Sequence, residues 1–158
     1  MNTFFFIMMT LIFLSYVGMI WYRFGVLTSI SESYYKLPRK QQVLFTLFCW
    51  GFAIPAMILG DSVLMFLAGS AICFVGAASA FKMKQVYWVH MTGAMVGIFI
   101  VPNSIYFDFG NEWIAIITIM IDLILIANLL LWNIKTALWW IEIVTFIAIC
   151  VTLGLKIF

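Results

Sequence analysis

Residues 23–42 read RFGVLTSISESYYKLPRKQQ, the one long run in the chain that water can comfortably hold. It carries four of the eight basic residues (Arg23, Lys36, Arg39 and Lys40), one acidic residue, Glu32, and the hydroxyls of Thr28, Ser29, Ser31, Ser33, Tyr34 and Tyr35. The rest of the chain is built for another solvent. Of 158 residues, 66% are hydrophobic and 9% charged, where a soluble domain is about half apolar and a quarter charged. A domain this small must cover much of its surface with polar groups, so the apolar excess has to face hydrocarbon. The composition predicts an all-α integral membrane protein.

A bilayer core about 30 Å thick takes roughly 20 apolar helical residues to cross. That ruler gives six spans, near 3–22, 42–60, 62–81, 86–102, 112–132 and 137–157. Beyond loop one (23–41) the connections are short, so consecutive helices are antiparallel neighbours. The expected architecture is a single transmembrane domain, a compact bundle of six helices. The first run has no basic residue ahead of it and no A-x-A site before Arg23, so it reads as a retained helix rather than a cleaved leader.

Orientation follows the lysines and arginines. Loops one, three and five hold Arg23, Lys36, Arg39, Lys40, Lys82, Lys84 and Lys135, whereas loops two and four hold Asp61, Asp108 and Glu112. Loop one is therefore expected in the cytoplasm and both termini outside the plasma (inner) membrane, with Lys156 alone on the wrong side. Trp21, Trp88, Trp113, Trp132, Trp139 and Trp140 fit interfacial belts. A net charge of +2 without a basic stripe argues against nucleic acid. Cys49, Cys73 and Cys150 lie in apolar runs without CxxC spacing and read as small hydrophobes, with no disulfide, metal or cofactor implied.

Small residues mark the packed centre. Gly69, Cys73, Gly76 and Ala80 share a face of the third span, and Gly93 and Gly97 form a GxxxG in the fourth. In lipid, such residues let helix backbones approach closely, within one chain or in a homo-oligomer. Pro55 is expected to kink the second span and Pro102 to end the fourth.

Ionisable groups inside the spans are functional candidates. Asp122 lies mid-way along the fifth span, one turn from Thr118, with Asn128 further on. It reads either as a protonated hydrogen-bonding glue or as a proton relay or ligand. His90, the only histidine, continues the face of Gly93, Ala94 and Gly97. It reads as an interhelical hydrogen bonder, or as a base partnered by Glu142. Glu142 begins a polar stripe with Thr145, Thr152 and Lys156, and otherwise snorkels beside Trp139 and Trp140. A loop one folded back over the bundle would bring Glu32, Ser29 and Ser31 above His90, making a polar pocket for a headgroup or polar solute. Hydroxyl, imidazole and carboxylate are also the materials of acyl transfer, although no GxSxG, HxxxxD or HExxH motif is present.

ISESYYKLPRKQQVLF (30–45) resembles the ISD…P…F pattern after the first helix of the DRAM/FRAG-type six-helix membrane proteins and their bacterial relatives. VHMTGAMV (89–96) resembles the H-x-x-G-A opening of a middle helix in that group. The likeness covers about two dozen residues, with Glu32 standing where the pattern has Asp. It implies a membrane protein connected with lipid handling or regulation, with Ser31, Glu32 and His90 on the pattern. The leading expectation is a non-catalytic protein whose partners are membrane lipids. A proton-coupled carrier or channel subunit using Asp122 is one alternative. A lipid hydrolase or acyltransferase using a loop-one serine with His90 is the other.

Overall fold

The computed structural model describes residues 1–158. The chain is all-helical, with α1 (Asn2–Phe24), a one-turn α2 (Ser33–Lys36), α3 (Val43–Gly60), α4 (Val63–Ala77), α5 (Lys84–Phe107), α6 (Glu112–Trp132) and α7 (Ala137–Ile157). Five helices are long and apolar enough to cross a membrane: α1, α3 with the turn before it, α5, α6 and α7. The expected 62–81 span appears as the 15-residue α4, about 22 Å long at 1.5 Å per residue.

Why α4 stops early is visible in its last carbonyls. A helix leaves four carbonyl groups without intrahelical partners, and here neighbouring side chains meet several carbonyls at and near that end. Thr46 Oγ1 of α3 donates to Gly76 O at 2.9 Å, and Trp50 Nε1 donates to Cys73 O at 3.0 Å. His90 of α5 donates toward Val75 O and Ala78 O. The sequence GAASA (76–80) stays apolar past this point, so hydropathy alone overruns the end.

α1, α3, α4, α5 and α7 follow one another round a ring, and α6 lies outside against α5 and α7. Only Ala115, Thr118 and Asp122 of α6 are buried. The small residues sort by partner. A Cβ on Gly69 or Gly76 would meet α3, at Met57 and Cys49, whereas one on Gly93 would stand 2.9 Å from the Ala71 carbonyl of α4. Gly97 has no such contact, its nearest neighbour being Ile72 at 4.0 Å. The GxxxG therefore contributes one close approach, not two.

Pro102 does not end its helix. α5 runs on to Phe107, because a proline removes only one backbone donor. The turn beyond it is sewn by Asn103 Nδ2 donating to Phe99 O at 2.7 Å and Ser104 Oγ donating to Asp108 at 3.0 Å. α3 likewise continues through Pro55. Lys156, the cation on the unexpected side, has a local reason to be there. Its Nζ donates to Leu59 O and Gly60 O at 3.1 and 2.9 Å, closing the negative end of α3.

Candidate functional site

The site is assembled by loop one, which is an ordered lid. Leu27, Ile30, Ser31, Ser33 and Leu37 are all buried. Ser29 opens a 3₁₀ turn (Ile30–Glu32) by accepting from Glu32 N–H at 3.1 Å, as an N-cap serine does. Glu32 folds back the other way, its carboxylate accepting from Thr28 Oγ1 at 2.5 Å and Thr28 N–H at 3.1 Å. Lys36 lies 3.9 Å away. The Thr28 hydroxyl holds the Glu32 carboxyl below its ordinary 4.5. A carboxylate whose folded pKa is depressed stabilises fully above its unfolded value and loses that contribution as pH falls through the lower folded one. Loop one is thus expected to loosen below pH 4.5 in amide exchange of residues 28–32, and Glu32→Gln should abolish that pH dependence. An unchanged acid response in the variant would remove Glu32 as its source.

Four anchors fix this lid. The third N–H of α7, from Trp139, donates to Thr28 O at 3.1 Å, filling one of the helix's orphan donors. Ile30 N–H donates to the Glu142 carboxylate one turn further along the same helix. Ser33 Oγ and Tyr16 OH hydrogen-bond at 2.7 Å, with the tyrosine ring stacked on Phe48 at 4.5 Å. On the far side Tyr35 OH accepts from Lys82 N–H at 2.6 Å. Trp139, placed in an interfacial belt by its position, is instead 2% exposed beneath this lid.

Under the lid lies a partly open cavity of about 50 Å³, walled by α3, α4, α5 and α7 and roofed by Ile30 and Ser31. Most of its wall is apolar (Phe45, Phe48, Ile72, Val75, Phe146), and its polar groups are Ser31, Glu142 and Thr145. Glu142 turns inward to this space rather than snorkelling outward. Its carboxylate has about four acceptor sites, and only loop one addresses them, through Ile30 N–H and the nearby Ser31. Thr145 donates to Ile141 O at 2.9 Å, leaving its lone pairs to the cavity. At roughly 10–15 Å³ per water, the space holds about three or four water-sized groups.

No family profile, curated protein or solved structure matches the chain.

His90 belongs to a different set. Both groups facing its Nδ1 are carbonyl oxygens, Val75 O at 3.2 Å and Ala78 O at 3.1 Å. A carbonyl only accepts, so Nδ1 carries the proton. The ring stacks on Phe81 at 4.6 Å, and Tyr35 meets Phe81 edge-on at 5.2 Å. The ring on His90 thus comes from the α4–α5 connection, and loop one meets His90 only through Phe81. Neither Ser29 nor Ser31 bonds the imidazole, and His90 does not line the Glu142 cavity. The structure brings Ser31 to Glu142 and leaves His90, Ser29 and Glu32 apart from it.

Asp122 is apart from both. It is 6% exposed on the inward face of α6, and its Oδ1 has no hydrogen-bond partner. Thr118 and Asn128 bond their own helix, to Ile114 O at 2.8 Å and Ile124 O at 2.7 Å. The Thr145 wall and the small-residue floor at Gly93 and Gly97 escape a reading based on ionisable residues. Their signal was the α7 polar stripe meeting the α5 glycines at one level.

Proposed function

We propose that the chain is a six-span protein of the plasma membrane, with loop one in the cytoplasm and both termini outside, that binds a lipid headgroup in a regulatory role without catalysis. The observation that carries this reading is the Glu142 carboxylate, set with Ser31 and Thr145 in an otherwise apolar cavity beneath an anchored lid. An acceptor-rich floor selects a donor. A primary ammonium fits about 50 Å³ and can donate to a carboxylate, whereas a trimethylammonium is bulkier and has no N–H. The ligand favoured is therefore an amine-bearing headgroup. The motif resemblance to the DRAM/FRAG-type group agrees with a lipid-connected role.

Mass spectrometry of lipid retained by gently purified protein tests this. Phosphatidylethanolamine should be held over phosphatidylcholine, and Glu142→Gln should weaken retention about ten-fold or more, as loss of a charged hydrogen bond does. Asp122→Asn should retain it as the wild type does. Equal retention of the two lipids, or no change in Glu142→Gln, would sink the reading. The unpartnered Oδ1 of Asp122 favours a proton-coupled carrier as a second reading. It requires proton flux in vesicles that Asp122→Asn abolishes. The Ser–His hydrolase reading has no hydroxyl at His90 to stand on.

A further inference from the structure

A second cavity lies on the outer side of the α4–α5 seam. It is a groove of about 510 Å³ whose lining includes Ser70 and Phe74 of α4 and Trp88, Thr92, Val96 and Ile100 of α5. Apart from two hydroxyls its walls are apolar, and Phe74, Trp88 and Val96 are exposed. From Trp88 to Ile100 the α5 wall is about 18 Å long at 1.5 Å per residue, close to one leaflet's half of a bilayer core of about 30 Å.

Its charged end points to the occupant. Lys84 precedes Trp88 by four residues, so it continues the lining stripe of α5 by one turn. Lys84 is exposed and forms no ion pair, the single salt bridge being Lys36–Glu32. Lys82 stands beside it in sequence, its Nζ 4.5 Å over the Tyr35 ring. One free cation, Lys84, thus extends the lining stripe of an apolar groove, and Trp88 marks the level at which an indole meets headgroups. The geometry points to a binding site for an anionic phospholipid, with one acyl chain along the α4–α5 groove and its phosphate at Lys84. This site is distinct from the Glu142 cavity. The two are separated by the Gly93–Ala71 contact, where the α5 and α4 backbones touch.

Native mass spectrometry in phosphatidylcholine nanodiscs titrated with phosphatidylglycerol tests it. Wild-type protein should retain phosphatidylglycerol in preference to phosphatidylcholine. Lys84→Gln should weaken that retention about five-fold, the effect of one basic residue at an anionic surface. Val96→Trp, which fills the groove from its open side, should lower occupancy by either lipid. Glu142→Gln should leave it unchanged, so failure here and failure of the headgroup reading are separable. Equal occupancy by the two lipids, with no response to Lys84→Gln, means annular lipid only and overturns the assignment. So does unchanged occupancy in Val96→Trp, or a dimer that this substitution dissociates.

Discussion

Replacing Glu142 by alanine is expected to release loop one and to lower stability by about 1–3 kcal/mol, the cost of stranding a buried donor. Ile30 is 2% exposed, so its N–H has no water to turn to once the carboxylate is gone. The loss should spread along the loop, because the Thr28–Trp139 bond and the Ile30–Glu142 bond are two residues apart in the loop and three apart on α7. Limited trypsin digestion reads this directly. Arg39 and Lys40 are exposed in the 3₁₀ turn Arg39–Gln41, and cleavage there should accelerate at least ten-fold in Glu142→Ala. Glu142→Gln keeps an amide oxygen for Ile30 and should lie between the two. Wild-type cleavage and melting in the alanine variant would show that the lid is held without Glu142.

The two glycines of the α5 GxxxG should respond with opposite signs. In Gly93→Ala the new Cβ would stand 2.9 Å from Ala71 O and 3.2 Å from Val75 Cγ2. A backbone oxygen cannot swing aside as a flexible side chain can, so α4 and α5 must separate, at about 1–3 kcal/mol. In Gly97→Ala the nearest atom is Ile72 Cγ1 at 4.0 Å, an ordinary contact. There the helix gains the propensity of alanine over glycine, about 0.8–1 kcal/mol. Thermal unfolding of both variants in one detergent checks this. Equal destabilisation would mean that both positions hold the seam, and equal tolerance that neither does.

The two glycines also show where pattern reading stops. Their spacing is legible from sequence, but which of them touches a backbone depends on how α4 is rotated against α5. The helices themselves were largely legible, because apolar runs of this length permit little else: the α6 and α7 ranges coincide with the expected 112–132 and 137–157. The end of α4 was not, since it is set by side chains from Thr46, Trp50 and His90 that hydropathy does not register. At the site, Glu142 was legible as a carboxylate inside an apolar run and Ser31 as one of the loop-one hydroxyls. Their meeting was not, because it depends on a main-chain donor, the Ile30 N–H, which no side-chain pattern records. His90 was singled out by its rarity, and its geometry is that of a helix cap.

That cap bears on how the chain is made. In the membrane reading proposed above, an α4 that met lipid alone would leave Val75 O, Gly76 O and Ala78 O without the partners that Thr46 and His90 supply, each at several kcal/mol. Thr46 has by then been synthesised, but His90 comes twelve residues after Ala78. In that reading the start of α5 has to follow before α4 settles, and α3, α4 and α5 insert as one unit rather than span by span.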